Sequence, residues 1–169
     1  MKLLKQLGLT LTGLLMSVTP SLASTEATTA DLLNLLDNNG ITVVVDNHRC
    51  TGEFYGAYQY SGLARRMIVC TGNDGIGDED HDTVRHETVH ALQHCMNAKR
   101  GTDPNTPILE PKKVIANAEK TLNRELIATI LDNYPEDHWL IELEAVYGAE
   151  IFTASDLMKL FTEYCIAEA

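Results

Sequence analysis

The sequence predicts an α+β fold in which a small antiparallel sheet packs against helices. Three short segments near the start of the chain are rich in β-branched and aromatic residues and are separated by turn-forming residues: 41–46, 53–60 and 66–71. Farther along, apolar residues recur at helical spacing over long stretches. No repeat, low-complexity tract or interior linker interrupts these segments, so we expect a single domain.

Residues 1–23 have the features of a secretory signal peptide. Lys2 and Lys5 form a short basic region, residues 7–18 are mostly apolar and uncharged, and Ser21-Leu22-Ala23 supplies a small-x-small cleavage site. The apolar run is too short and wrongly flanked for a membrane span. We therefore expect residues 24–169 to form the mature protein, secreted or periplasmic, and free of the membrane after cleavage.

Helices are predicted on both sides of the strands. A short helix over residues 30–38 ends at Gly40, and the β-branched strand 41–46 is expected to be buried. Ser61-Gly62 turns the chain between the other two strands. Beyond a long helix in the 80s and 90s, further helices are predicted at 111–131, at 136–152 and, capped by Ser155 or Asp156, near the C-terminus.

The chain is strongly acidic, with a formal net charge of −11 at pH 7. Removing Lys2 and Lys5 with the signal peptide would make it more negative still. Nucleic acids and anionic membranes are bound by basic surfaces, so neither is an expected partner.

Four cysteines lie beyond the predicted cleavage site. An even number of cysteines in an exported chain predicts disulfides, and we expect the pairs Cys50–Cys70 and Cys95–Cys165. A cysteine-based metal site is the alternative, but the sequence contains no C-x-x-C pair.

The segment His86-Glu87-Thr88-Val89-His90 is an H-E-x-x-H motif on a predicted helix. Residues four apart lie on the same helix face, so His86 and His90 can direct their imidazoles at one zinc ion. Glu87 leaves the helix about 100° around from His86, which places its carboxylate beside the metal rather than on it. The motif therefore predicts a zinc site with an activated water and Glu87 as the general base.

A catalytic zinc site needs a third protein ligand and an open position for water. Met96 stands where one extended form of the motif has a third histidine. His94 lies about 12 Å along the helix axis from His86, too far to share one ion. The predicted helix 136–152 carries Glu142 and Glu144 within an apolar stretch. These two side chains point about 200° apart, so only one of them can face the zinc.

The motif and the downstream glutamates resemble the glutamate-zincin (gluzincin) metallopeptidases, whose later helix carries Glu-x-x-small. Three short blocks are also loosely similar to the mitochondrial ATP-synthase-assembly metallopeptidase family, which has a strand ending in cysteine, then H-E-x-x-H-A, then E-x-x-A. The corresponding blocks here are Met67–Cys70, Thr83–Ala91 and Glu142–Ala145. One departure is Gln93, which stands where that family has an aspartate.

The resemblance implies a zincin-like fold, with the sheet packed on the H-E-x-x-H helix, and favours Glu142 as the third ligand. Small residues at Ala145 and Ala149 would let the two helices approach closely. Glu144 is then expected to be solvated or paired with a lysine or arginine. One zinc ion per chain would be held by His86, His90 and Glu142.

We therefore expect an exported zinc metallopeptidase that acts on a peptide or protein substrate. An edge strand beside the metal helix can pair with an extended peptide, although the sequence does not reveal which strand is free. A donor for the reaction's oxyanion is also needed, and His94, His138 and Tyr147 are candidates. The alternative is a catalytically inactive, disulfide-stabilised zinc-binding domain that recognises proteins; the intact Glu87 favours the enzyme. The substrate and the oligomeric state stay open.

Overall fold

The structure is a computed structural model that describes residues 27–45, 55–70 and 78–166. Six α-helices and one three-stranded sheet make up most of these ranges, so the α+β prediction is confirmed. In chain order they are α1 (Thr29–Asn38), β1 (Ile41–Val45), β2 (Gly56–Ser61), β3 (Ala64–Val69), α2 (Asp78–Arg100), α3 (Pro111–Thr121), α4 (Arg124–Asn133), α5 (Trp139–Ile151) and α6 (Ala154–Phe161). A 3₁₀ turn, Glu136–His138, precedes α5, and a π-helical turn, Thr162–Ile166, follows α6.

The predicted signal peptide, residues 1–23, lies outside the described residues. Among the helices that are described, none combines the length and the apolar character that a membrane crossing requires.

The sheet has the order β1-β3-β2. β2 and β3 form an antiparallel hairpin, with Gly56 opposite Val69, and its turn uses Gly62 at a φ of +59°, a conformation that suits glycine. β1 pairs with the other edge of β3 and runs parallel to it, with Ile41 opposite Arg65. The prediction of a purely antiparallel sheet is therefore wrong. A short turn fixes only the direction of the strands it joins, and no such turn joins β1 to its neighbour.

β1 is also less buried than predicted because it lies at an edge. Ile41 is fully buried, whereas Val45 is 53% exposed. Within the described residues, no strand pairs with the outer edge of β2 either.

Helix α2 lies at the centre of the fold and contacts the sheet, α1, α5 and α6. The main hydrophobic core forms around its apolar positions, together with residues of α1, β3 and α6; its members include Leu32, Leu36, Met67, Val84, Val89, Leu92, Leu157 and Phe161. A second cluster joins α3, α4 and α5 through Val114, Ala118, Leu122, Ile130 and Leu143. Contacts with the sheet and with α1, α5 and α6 thereby fix the position of α2.

The predicted helix 111–131 is two helices. The chain turns extended at Leu122, which is buried, and Asn123 then caps α4 by accepting a hydrogen bond from the N–H of Leu126 at 2.8 Å. The apolar spacing continues through the break, which hides it in the sequence. Thr153, rather than Ser155 or Asp156, caps α6, and Asp156 completes a capping box with it.

The disulfide Cys95–Cys165 is present, as predicted, with the two Cα atoms 5.7 Å apart. It ties α2 to the turn that follows α6. Cys70 is also disulfide-bonded. Its predicted partner, Cys50, lies outside the described residues.

Candidate metal centre

The two histidines of the motif meet on one face of α2, as their spacing predicts. The Nε2 atoms of His86 and His90 are 3.0 Å apart, and the two rings are nearly perpendicular. Both side chains are mostly buried, with 18% and 14% exposed. The lone pairs of the two Nε2 atoms can therefore point at one position.

Helix α5 brings Glu142 to the same point. Its Oε2 atom lies 3.4 Å from Nε2 of His86 and 3.5 Å from Nε2 of His90. The close approach of α5 to α2 depends on small residues. A Cβ atom on Gly148 would lie 2.8 Å from Cγ2 of Val89, and Ala145 is fully buried. Ala145 is one of the small residues that the sequence predicted for this approach, and Gly148 is a further one that the prediction did not name.

These three atoms fit a metal ion. In a tetrahedral zinc site with bonds of 2.0–2.1 Å, two ligand atoms lie about 3.3 Å apart, and the three separations here are close to that. Oε2 of Glu142 is buried without a hydrogen-bond partner, an arrangement that is costly unless a cation completes it. His86, His90 and Glu142 could therefore hold a metal ion.

The electrostatics of the triad also favour a cation. Burial raises the pKa of Glu142, but the two neighbouring imidazoles outweigh burial and lower that pKa to about 2. Burial lowers the pKa of His90, but its contact with Glu142 and the nearby charge of Glu87 outweigh burial and leave the pKa raised. The Glu142 carboxylate stays ionised, and the negative charges of Glu142 and Glu87 favour a positive charge at His90, which a metal ion can supply in place of the proton.

Glu87 lies beside the triad, as the motif predicts. Its side chain is buried, and burial raises its pKa, although His86 and His90 oppose the shift. The backbone of Tyr58, in β2, also acts to lower this pKa. A Cβ atom on Gly56 would lie 2.6 Å from Cγ2 of Thr83 and 3.3 Å from Cγ of Glu87. Glycine at this position therefore lets β2 approach Glu87 closely.

A cleft of about 400 Å³ opens in front of Glu87 and His86. The start of β2 forms one wall, and α4 and α5 form the other. Tyr134, in the turn after α4, also lines it. The residues that complete the lining are Tyr55, Gly56, Asp82, Thr83, Leu126, Val146, Ala149 and Glu150.

Tyr134 lines the cleft but was not among the residues that the sequence analysis singled out, because it lies in the turn after α4, where no periodic pattern marks it. Its hydroxyl interacts with Glu142, and burial together with the charges of Glu142 and Glu87 raises its pKa to about 12. Its backbone carbonyl accepts a hydrogen bond from Nε1 of Trp139 at 2.9 Å, which anchors the turn. A hydroxyl with a raised pKa remains a hydrogen-bond donor at neutral pH.

The three oxyanion-donor candidates from the sequence lie elsewhere. His138 is exposed, and Tyr147 packs against the second hydrophobic cluster. His94 contacts the hydroxyl of Tyr58 through Nδ1 at 2.7 Å and stacks on Tyr60. None of the three lines the cleft.

The expectation that Glu144 is solvated or paired with a basic residue is wrong. Glu144 is 5% exposed and accepts hydrogen bonds from the N–H groups of Ile108 and Leu109 at 2.6 and 2.8 Å. It also accepts one from Nε2 of Gln93 at 3.0 Å. Gln93 in turn contacts Nδ1 of His90 through Oε1 at 2.7 Å. One indication of this buried role was present in the sequence, since Gln93 and Glu144 each interrupt an apolar stretch of a core helix.

No known protein family, curated protein or solved structure matches this chain. Its function is therefore inferred from the geometry of the cleft and from the chemistry of the side chains that line it.

Proposed function

We propose that this chain is an exported, zinc-dependent metallopeptidase of the glutamate-zincin type. The observation that carries the proposal is the convergence of two imidazole nitrogens and one carboxylate oxygen on a point beside the buried Glu87, with His86 and Glu87 lining an open cleft. A structural zinc site would have four protein ligands and no adjacent base. Three ligands with a buried base fit a catalytic site.

Zinc is the metal that this donor set suits best. Two neutral imidazoles and one carboxylate are common zinc ligands in hydrolases, whereas magnesium and calcium prefer sets of oxygen ligands. When bound, zinc would acidify a water molecule and polarise a peptide carbonyl.

Glu87 would serve as the general base. Its position beside the triad lets its carboxylate accept the proton from the attacking water and later pass that proton to the departing amine nitrogen. Burial raises its pKa and so makes the carboxylate a stronger base towards the attacking water.

Tyr134 would donate to the oxyanion that forms on the carbonyl. It faces the same cleft as Glu87 and His86, and its turn is anchored by Trp139. A positioned donor of this kind stabilises charge that exists only in the transition state.

The outer edge of β2 would bind the substrate. β2 starts at Gly56, which lines the cleft, and within the described residues its outer edge has no partner strand. An extended peptide can add to such an edge through main-chain hydrogen bonds. This orientation would lay the peptide across Glu87 and the metal.

Export is supported by the basic, apolar and small-residue sequence of positions 1–23. The disulfide Cys95–Cys165 is consistent with an oxidising compartment.

The test combines metal content with hydrolysis. We expect one zinc ion per chain in protein purified without chelator, and cleavage of a mixed library of quenched fluorescent peptides. Glu87→Gln should keep the zinc and lose activity by about a hundredfold or more. Glu119→Gln, the same change at an exposed position of α3, is the control and should alter neither. Absence of zinc would refute the metal site, and zinc without hydrolysis in the wild type would identify an inactive zinc-binding domain instead.

A further inference from the structure

Gln93 is a buried polar residue with a fully determined hydrogen-bond pattern. It is 0% exposed, and its Nε2 atom donates to the carbonyl of Ile141 and to the carboxylate of Glu144, both at 3.0 Å. Both partners are acceptors, so the amide can have only one orientation. Oε1 therefore faces His90 as an acceptor, at 2.7 Å from Nδ1.

This orientation determines the tautomer of His90. Because Oε1 of Gln93 can only accept, Nδ1 of His90 must carry the proton. In the neutral ring the lone pair is then on Nε2, the atom that faces His86 and Glu142. His90 is thus held in the form that a metal ion requires.

Glu144 holds Gln93 in turn. Its carboxylate receives three hydrogen bonds, from Gln93 and from the backbone N–H groups of Ile108 and Leu109. A carboxylate is a stronger acceptor than a neutral oxygen, so it polarises the Gln93 amide and strengthens the bond from His90. The chain of contacts joins the segment between α2 and α3 to a metal ligand.

We propose that Gln93 and Glu144 form a positioning relay, anchored by the backbone of Ile108 and Leu109, that holds His90 in its metal-binding tautomer and sets the metal affinity. The proposal rests on the metal site of the proposed function, but not on its catalytic activity. Partners of this type around metal-binding histidines typically change metal affinity by about 10- to 100-fold.

The decisive variant is Gln93→Met, which keeps a side chain of similar length and removes both the acceptor for His90 and the donors to Glu144. The matched control is Thr88→Val, on the same helix. Thr88 is also 0% exposed, and its hydroxyl donates to the carbonyl of Val84 at 2.7 Å, away from the metal ligands. Both variants lose buried hydrogen bonds, but only Gln93→Met breaks the relay.

Two readouts separate positioning from general stability. The first is the zinc dissociation constant, measured by competition with a chromogenic chelator on folded protein. The second is the visible spectrum of the Co²⁺-substituted protein, which reports the geometry of the ligands. We expect Gln93→Met to weaken zinc binding about 10- to 100-fold and to alter the cobalt spectrum, while Thr88→Val changes neither by more than about twofold.

Glu144→Gln is the second variant, and it replaces Gln93→Met if that protein does not fold. It keeps the shape of the side chain and removes the charge, so we expect a smaller loss of affinity in the same direction. Unchanged zinc affinity and an unchanged cobalt spectrum in the folded relay variants would overturn the relay while leaving the metal site intact. A wild type that binds no metal would overturn both the relay and the proposed function.

Discussion

Gly148→Ala should loosen the metal site from a distance by pushing α5 away from α2. The added methyl carbon would lie 2.8 Å from Cγ2 of Val89, whereas carbon atoms pack best at about 3.5–4.0 Å. The helices must therefore separate by roughly 1 Å, or Val89 must leave its rotamer. Overpacking of this kind costs about 1–3 kcal/mol, and the better helix propensity of alanine offsets about 0.5–1 kcal/mol. We expect a net destabilisation of about 1 kcal/mol.

The loss of zinc-binding free energy should exceed the loss in the free energy of unfolding. Glu142 lies on the same helix as Gly148, and a shift of roughly 1 Å in its carboxylate is large compared with the tolerance of a metal bond. We expect zinc affinity to fall at least about tenfold, measured by chelator competition, with unfolding in urea followed on the metal-free protein.

Val89→Ala supplies the control, because it removes both methyl groups that the new carbon would meet. Alone it should cost about 2 kcal/mol of stability, since Val89 is 4% exposed in the main core. Combined with Gly148→Ala it should restore zinc affinity to within a few-fold of the wild type. Additive losses in the double variant, or wild-type affinity in Gly148→Ala alone, would show that helix separation does not control the position of Glu142.

Three further predictions concern the cleft and its surroundings. Gly56→Ala would place a carbon 2.6 Å from Cγ2 of Thr83, so peptide hydrolysis should fall at least about tenfold while zinc is retained. Adding Thr83→Ser removes Cγ2 and should recover the hydrolysis rate. A double variant as slow as Gly56→Ala alone would contradict this explanation. Tyr134→Phe should lower kcat by about 10²-fold or more with little change in KM or zinc content, and a change in KM alone would instead indicate a role in substrate binding. Burial raises the pKa of Tyr58 well above its ordinary value of 10, so its contribution to stability is complete below pH 10 and is lost as the pH rises above 10. Urea unfolding from pH 9 to 12 should show this loss, Tyr58→Phe should reduce the slope, and an unchanged slope would assign the loss to other groups.

The sequence predicted the parts of the site that lie on regular helices. The spacing of His86 and His90 is a local property of one helix, and the structure reproduces it directly. The search for the third ligand could be narrowed to a few residues because few carboxylates interrupt the apolar helix α5, and Glu142 is accompanied by small residues. Helix geometry sufficed for the two histidines, whereas it left Glu142 and Glu144 open, and the resemblance to the glutamate-zincins favoured Glu142.

Other features depend on contacts between distant segments. The parallel pairing of β1 with β3 is not encoded in either strand, since both directions have the same alternation of side chains. The role of Glu144 depends on the backbone of Ile108 and Leu109, which no side-chain pattern reports. Tyr134 lies in a turn, where helical or strand periodicity gives no information about direction.

The burial of α2 has a consequence for genetics. No residue from 83 to 97 is exposed, because the sheet, α5 and α6 cover this helix on several sides. A saturation mutagenesis screen scored on survival or abundance would find this stretch intolerant almost throughout, with relief only near Ala98. Sensitivity to substitution would therefore not separate the proposed metal ligands and base from the packing residues around them. Only a screen that also reports metal occupancy would resolve the two groups.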